Sequence, residues 1–200
     1  PPASLEQTGI DREGQTIIPN GRMITPRGRQ VEVAPHPYGL VLSPDGSVAV
    51  TANCGVQPFS VSVITDVQSD DPSVRQIPKG FDTDEGVLAS VYMGLSVSPD
   101  NSTLYVGAGQ EGKVVIFDLA GDTRVSEIEA NGPVAGRTYE DSYIGDLALS
   151  GDGRWLYALD QANFRLLIAS TEERRILSSV PVGRYPFGLA LSPDGKRVFV

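Results

Sequence analysis

Very few side chains in this sequence could take part in nucleophilic catalysis. The 200 residues include one histidine, His36, and one cysteine, Cys54. A Cys–His dyad needs its two side chains within hydrogen-bond reach and a thiol of lowered pKa. No sequence motif marks either residue as catalytic, and no Gly-x-Ser-x-Gly motif offers a serine nucleophile. We therefore predict no catalytic residue, although the two side chains can meet if they occupy neighbouring loops.

Carboxylates are the other groups that could bind a ligand, because oxygen atoms from converging loops suit Ca²⁺. The alternative is a solvated acidic rim. We favour the rim, because the formal net charge is −9 and no spacing resembles a dedicated calcium-binding loop. We therefore predict no metal ligand and no cofactor in this chain. The residues of the candidate ligand-binding face are His36, Glu85, Glu140, Asp141, Asp160 and Tyr185.

Four copies of a strand–turn–strand pattern position these residues. An apolar strand runs into Ser-Pro-Asp-Gly or a close variant, and a second apolar strand follows. The serines of the four turns are Ser43, Ser98, Ser150 and Ser192, spaced by 55, 52 and 42 residues. Repeats of this length made of short strands are typical of β-propeller blades. We predict an all-β protein, a β-propeller of four-stranded antiparallel blades. About three and a half blades are present, so the ring is incomplete.

The boundaries of the repeats divide the chain into a lead-in, residues 1–28, and a partial propeller, residues 29–200. Blades are expected to start near residues 37, 91, 143 and 186. Val31–Leu40 matches Val180–Leu189 at a constant offset of 149 residues, and the later copy ends an outer strand. We therefore expect Gln30–Val33 to be a strand that helps to close the ring. Within the lead-in, Thr16–Ile18 and Arg22–Thr25 are expected to form a small hairpin.

The turn residues have a structural explanation. Proline presets φ near −65° at the second turn position, aspartate bonds the backbone ahead of it, and glycine accepts a positive φ. Asn101 replaces this glycine in the second copy and tolerates the same conformation. The turn aspartates are therefore predicted to be structural. We expect function at the opposite face, where the loops entering each blade meet those between its second and third strands.

Composition excludes some classes of partner. The chain has 25 acidic and 16 basic residues, which disfavours nucleic acids and anionic membranes. No apolar run approaches 18 residues, so no membrane span is predicted. The sequence begins at Pro1 without a methionine, and removal of a signal peptide is one cause of such an end.

The repeats resemble the YVTN family of bacterial β-propellers. The resemblance rests on Leu104–Ala108 (Leu-Tyr-Val-Gly-Ala), Leu156–Asp160 and Val115–Asp118. The segment Ile17–Val31 resembles exported bacterial proteins in which an N-terminal propeller precedes a phosphoesterase domain of the alkaline-phosphatase superfamily. This resemblance implies a periplasmic or secreted protein, with its signal peptide removed and a metal-dependent hydrolase domain downstream. No catalytic residue of that domain falls within these 200 residues.

Three functions remain open at this stage. The first is a non-catalytic module that binds a small molecule or a protein at the loop-rich face, as the N-terminal part of an exported phosphoesterase-type protein. The second is a propeller lactonase that hydrolyses small cyclic esters through polar residues at the mouth of the channel. The third is a surface-exposed binding protein with no hydrolase attached. We predict the first.

Overall fold

The computed structural model describes residues 8–9, 16–25, 27–55, 59–78 and 88–200. The chain divides into two compact units, residues 1–32 and 33–200. In the first unit, β1 (Thr16–Ile17) pairs antiparallel with β2 (Met23–Ile24) around the predicted turn. The Arg22 amide donates to Asn20 Oδ1 over 3.1 Å and secures this turn. The described residues contain no helix, and hence none that could cross a membrane.

The second unit consists of antiparallel blades in which consecutive strands are neighbours. The first blade contains β3 (Pro37–Leu42), β4 (Val48–Asn53), β5 (Ser60–Thr65) and β6 (Ser73–Ile77). The second contains β7 (Leu95–Val97), β8 (Thr103–Gly107), β9 (Lys113–Asp118) and β10 (Thr123–Glu129). A hairpin, β11 (Gly132–Val134) and β12 (Arg137–Tyr139), precedes the third blade. That blade contains β13 (Ile144–Leu149), β14 (Trp155–Asp160), β15 (Arg165–Ser170) and β16 (Arg175–Pro181). The fourth begins with β17 (Ala190–Leu191) and β18 (Val198–Phe199). The predicted fold, an incomplete β-propeller of about three and a half blades, is confirmed.

The core lies between successive blades, because the two faces of each middle strand pack against different neighbours. In the second blade, Leu104 and Phe117 are fully buried in a cluster that also contains Val50 of the first blade. The adjacent residue Tyr105 belongs to a second cluster, together with Leu156 of the third blade. Strand side chains alternate between the two faces, so a blade that is covered on both faces needs apolar residues at successive positions.

Glycines allow the innermost strands of neighbouring blades to touch. A Cβ atom at Gly94 would lie 2.6 Å from the carbonyl oxygen of Gly145 in the next blade. A Cβ atom at Gly39 would overlap the carbonyl oxygen of Met93 in the same way. Glycine in a strand often marks such a close backbone approach. Packing between blades therefore explains the repeated glycine in the first and second blades, Gly39 and Gly94.

Two elements differ from the sequence-based expectation. Gln30–Val33, predicted as a closing strand, has no strand assignment. A closing strand needs the rest of its blade, since an isolated strand has no sheet to extend. The β11–β12 hairpin was not predicted. Its two-residue turn, Ala135 and Gly136, has positive φ at both residues (48° and 83°), but Ala-Gly is not a usual hairpin signal.

Candidate functional site

The register of the strands places the predicted loops on one face of the blades. In the first blade, Asn53 at the end of the second strand pairs with Pro37 and with Ser60. In the third blade, Asp160 occupies the same position and pairs with Ile144 and Arg165. The loops that enter each blade therefore lie beside the loops between its second and third strands, as expected. We call this side the loop-rich face.

An aromatic residue precedes the inner-strand glycine in each of the four blades. These residues, which we call the aromatic cluster, are Tyr38, Tyr92, Tyr143 and Phe187. Tyr92 is central. Its ring centroid lies 5.4 Å from that of Tyr38, 5.3 Å from that of Tyr143 and 6.5 Å from that of Phe187.

The contact between Tyr92 and Phe187 locates the cluster in the ring. Tyr92 lies in the segment that leads into the second blade, and Phe187 lies in the segment that leads into the fourth. The third blade therefore separates them in the order around the ring. Side chains of non-adjacent blades can meet only near the central axis. The close approach of Gly94 to Gly145 brings the aromatic side chains of the second and third blades to this axis together. The aromatic cluster therefore lies near the central axis of the blades, on the loop-rich face.

The rings of the cluster are steeply inclined to one another and partly open to solvent. Tyr143 and Phe187 stand at 77° and 88° to the plane of Tyr92, and Tyr38 is tilted by 39°. Tyr38 and Phe187 are 53% and 54% exposed, whereas Tyr92 and Tyr143 are half-buried. Edge-to-face contacts of this kind are favourable because the positive edge of one ring meets the negative face of another.

Two phenol groups of the cluster have raised pKa values. Burial raises the pKa of Tyr92 to about 12, and the hydrogen bond to the Tyr38 hydroxyl and the nearby Tyr143 and Cys54 act in the same direction. Burial likewise raises the pKa of Tyr143, with smaller contributions from Cys54 and Tyr38. At neutral pH these side chains are therefore uncharged groups whose hydroxyls can donate or accept hydrogen bonds.

His36 and Cys54 are neighbours through their backbones. The Cys54 amide donates to the His36 carbonyl oxygen over 3.2 Å, and the Cys54 thiol lies 3.9 Å from the same oxygen. The His36 imidazole packs against Gly55, where a Cβ atom would overlap it. The thiol therefore contacts a carbonyl group, and this geometry is not that of a Cys–His dyad.

Three of the candidate residues share one unusual backbone conformation. His36, Asp141 and Tyr185 have φ values of 61°, 52° and 53°. Each stands two residues before the aromatic residue of its blade. A positive φ is uncommon outside glycine, so the surrounding structure must enforce it, and such positions cluster at functional sites. In these three blades, the positive-φ residue leads the entering loop into the inner strand, next to the aromatic cluster.

Asp160 lies beneath the entering loop of the third blade and is fully buried. Its Oδ2 atom is 2.8 Å from Arg165 Nε, and its Oδ1 atom accepts hydrogen bonds from the amides of Tyr143 (3.1 Å) and Asn163 (3.2 Å). The buried Arg165 also donates to the Ala130 carbonyl oxygen over 2.7 Å. This network holds the backbone of Tyr143 in place.

The aromatic ring of Tyr139 completes the network. The guanidinium carbon of Arg165 lies 3.5 Å from the ring centroid of Tyr139, which ends the unpredicted β11–β12 hairpin. Such a cation–π contact is favourable, and more so where the cation is removed from water. The hairpin therefore covers the buried ion pair beneath the loop-rich face.

The remaining candidate residues are not members of the aromatic cluster, and one of them lies outside the described residues. The Glu140 carbonyl oxygen accepts a hydrogen bond of 3.1 Å from Asn163 Nδ2, and Asp141 is exposed. Tyr185 is 80% exposed and packs edge-on against Phe164, with a centroid distance of 5.4 Å. Glu85 lies outside the described residues. Within the described ranges, no three His, Cys, Asp or Glu side chains are grouped to hold a metal ion.

The sequence offered a signal for the aromatic cluster that composition alone does not show. Tyr38 and Phe187 stand one residue before the repeated glycine, whereas Tyr92 and Tyr143 stand two residues before it. This one-residue variation hides the pattern in a strict alignment of the repeats. Tyr92 was missed, whereas the other three fall in loops that were assigned to the correct face.

Comparison with known proteins supports the fold. The sequence matches no protein-family model and no curated protein. A hydrazine synthase structure from Kuenenia stuttgartiensis is 20% identical with a TM-score of 0.60, over 87% of this chain and 44% of that chain. A functionally unknown protein from Desulfotomaculum acetoxidans DSM 771 is 16% identical with a TM-score of 0.59, over 92% of this chain and 53% of that chain. The chain thus spans about half the length of both structures, and at this identity the likeness shows the fold alone.

Proposed function

We propose that this chain is a non-catalytic propeller module that binds a small molecule or a protein partner at the loop-rich face. The observation that carries this proposal is the convergence of one aromatic side chain from each of four blades at the central axis. Two of these side chains, Tyr38 and Phe187, are more than half exposed. The sequence repeats an aromatic residue here in every copy.

The chemistry of the cluster suits a binding site. Ligand sites are concave and largely apolar, with a few polar groups that fix orientation. Here the ring surfaces supply apolar area, and the hydroxyls of the three tyrosines, Tyr38, Tyr92 and Tyr143, supply hydrogen-bonding groups. The buried pair of Asp160 and Arg165 holds the adjacent loop rigid, and a rigid scaffold lowers the entropy lost on binding.

A binding panel tests this proposal. The intact protein is titrated with aromatic, saccharide, carboxylate and ammonium compounds, and binding is followed by nuclear magnetic resonance. We expect saturable binding of at least one class of compound. Tyr143→Leu should weaken this binding about tenfold, which corresponds to about 1.4 kcal/mol of binding free energy. The matched control is Phe164→Leu, an aromatic residue of the same face outside the cluster.

Two results would overturn the proposal. One is that no class of compound binds. The other is that Phe164→Leu weakens binding as much as Tyr143→Leu does, because the cluster would then have no special role. Urea unfolding of both variants confirms that the compared proteins are folded.

We further propose that the module belongs to an exported, periplasmic or secreted protein in which a phosphoesterase domain follows the propeller. The support is the resemblance of Ile17–Val31 to the lead-in of such proteins. The test is the mass of the native protein compared with the 21.3 kDa of this chain, together with its sequence beyond Val200. A continuation that lacks metal-ligating carboxylates and histidines contradicts the proposal. Cell fractionation checks the location.

A further inference from the structure

We propose that the chain has a second binding site, between the turns of the third and fourth blades, and that a neutral saccharide is its class of ligand. The site is a cavity of about 650 Å³ lined by residues of the segments 149–157 and 191–195. We call it the turn cavity. Small-molecule sites have volumes of about 300–1,000 Å³. Because the cavity lies among the turns, this inference goes beyond the function proposed for the loop-rich face.

One residue of the third turn explains why the cavity is open. At the junction of the second and third blades the turns touch, since a Cβ atom at Gly153 would lie 3.0 Å from Pro99 Cδ. The equivalent residues at the next junction are Gly195 and Gly151. A Cβ atom at either glycine would have no atom of the described residues within 4 Å. Gly151 stands where the other three turns have proline, so the space of a proline ring stays free.

Two aromatic side chains form one wall of the turn cavity. Trp155 and Tyr157 alternate along β14 and therefore share the face toward the fourth blade, whereas Leu156 between them packs into the core with the second blade. Trp155 is 37% exposed, so its indole has surface to offer a ligand. The C–H groups of a sugar ring carry a slight positive charge and pack favourably on the negative face of an aromatic ring.

The carboxylates that line the turn cavity are hydrogen-bond acceptors. Asp194 Oδ1 accepts hydrogen bonds from the Ser192 hydroxyl (2.5 Å) and the Lys196 amide (3.1 Å). Within the described residues these bonds all go to Oδ1, which leaves Oδ2 to accept from a ligand. Hydrogen bonds, first that from Ser192, lower the pKa of Asp194, so this group only accepts at neutral pH. A saccharide supplies the hydroxyl donors that such a site requires.

The charges around the turn cavity have both signs, which favours a neutral ligand. Asp152 is paired with Arg154, whose Nε atom lies 2.7 Å from Asp152 Oδ2. The exposed Lys196 and Arg197 follow Asp194 in the chain. A cationic or an anionic ligand would therefore meet repulsive as well as attractive charges. A neutral ligand gains hydrogen bonds to the carboxylates without this opposition.

Titration with sugars tests the proposal. Maltose, cellobiose and chitobiose are added to the intact protein, and binding is followed by nuclear magnetic resonance and by tryptophan fluorescence. Trp155 is the one tryptophan of the 200 residues, so its emission reports on the turn cavity. We expect a saturable change with at least one disaccharide. Glucose, glucosamine and glucuronate then compare a neutral, a cationic and an anionic sugar of similar shape, and glucose should bind most tightly.

Gly151→Pro is the decisive variant, because it restores the residue that meets Gly153 at the preceding junction. It should weaken saccharide binding at least tenfold, whereas its urea midpoint should not fall, so the loss of binding would not reflect unfolding. Trp155→Ala should weaken binding severalfold, as measured by nuclear magnetic resonance. The control Phe164→Leu changes an aromatic residue of the loop-rich face and should leave binding within twofold.

Four results would overturn the proposal. They are that no sugar binds, that Gly151→Pro binds as tightly as the native protein, that a charged sugar binds more tightly than glucose, and that Tyr143→Leu weakens binding as much as Gly151→Pro does. In the last case the saccharide would occupy the aromatic cluster. The first three leave the function proposed for the loop-rich face standing, because its own test depends on Tyr143→Leu and on other classes of compound.

Discussion

On one face of the blades, four turns repeat the same hydrogen bonds, whereas on the loop-rich face the loops differ in sequence and in partners. In each turn, the serine hydroxyl donates to the aspartate two residues later, at 2.7, 2.5, 2.6 and 2.5 Å along the chain. The fourth residue has a positive φ in all four turns, including Asn101 at 59°. The predicted structural role of the turn aspartates is therefore confirmed.

Equivalent positions on the loop-rich face carry different chemistry. In the first blade, Asn53 Nδ2 donates to the hydroxyls of Ser60 and Ser62 at 3.1 and 3.0 Å. In the third blade, the positions of Asn53 and Ser60 are occupied by Asp160 and Arg165, which form a buried ion pair. Both arrangements pair buried polar groups next to a loop, although the buried Arg165 Nη1 has no hydrogen-bond partner among the described residues. The repeat therefore keeps the same geometry at the four turns, whereas equivalent positions on the loop-rich face carry different residues.

The largest difference between the faces should appear on removing an arginine. Arg165→Ala leaves the fully buried Asp160 without its partner, and breaking a buried pair in this way costs about 3–5 kcal/mol of unfolding free energy. Arg154→Ala removes the exposed pair with Asp152 on the turn face, where solvent screening makes the expected loss much smaller. Urea denaturation measures both. Equal losses would show that the loop-rich network is no more important than the turns.

Glycine substitutions sharpen the same contrast. Gly94→Ala places a Cβ atom 2.6 Å from the Gly145 carbonyl oxygen, and such overpacking costs about 1–3 kcal/mol. Gly151→Ala, in a turn with no atom within 4 Å of the new Cβ, should change stability by less than about 0.5 kcal/mol. Thermal unfolding compares the two variants. If Gly94→Ala were as stable as the native protein, the inner strands would not be in close contact.

One substitution on the turn face should stabilise the protein. Gly151 is the second residue of its turn, the position that Pro44, Pro99 and Pro193 occupy in the other copies. Because proline restricts the unfolded chain and suits this turn position, Gly151→Pro should add about 0.4–1 kcal/mol. An increase in the urea midpoint at unchanged slope confirms the prediction. A decrease means that the third turn differs in backbone conformation from the other three.

The smallest effect concerns acid stability. Hydrogen bonds from Ser98 first, and then from Ser102, lower the pKa of Asp100 to about 2. The unfolded value is about 3.9, so the carboxylate favours the fold above pH 4, and this contribution is lost as the pH falls through 2. Ser98→Ala should raise the pKa of Asp100 toward its unfolded value. Nuclear magnetic resonance of the side-chain carboxyl groups measures this pKa. Asp152 is the internal control: hydrogen bonds, first that from Ser150, lower its pKa to about 2, and this pKa should stay unchanged in the variant.

Local pattern was sufficient for the regular parts of the fold. Period-2 alternation and β-branched residues predict four strands, and the structure shows them with the same bounds: Ser60–Thr65, Lys113–Asp118, Ile144–Leu149 and Arg165–Ser170. The β11–β12 hairpin was not predictable in this way, since Ala135 and Gly136 lack the usual turn signature and the hairpin is stabilised by contacts such as that of Tyr139 with Arg165.

The candidate site shows the same limit. Sequence reasoning assigned the correct loops to one face, because antiparallel strands place alternate connections on the same side. It placed Asp160 on the candidate ligand-binding face, but the structure buries this carboxylate in an ion pair with Arg165. Arg165 is only five residues away in the chain, but the groups that enclose the pair, such as the Ala130 carbonyl and the Tyr139 ring, come from segments more distant in sequence.

The sequence by itself determined the architecture, because the turn chemistry and the alternation of apolar residues are local properties repeated in every blade. Only the tertiary structure decided which side chains meet. Tyr92 and Phe187 are 95 residues apart in the chain, yet their rings are neighbours in the aromatic cluster. Their meeting depends on the rotation from blade to blade and on the close approach at Gly94, and these are properties of packed strands that no single repeat contains.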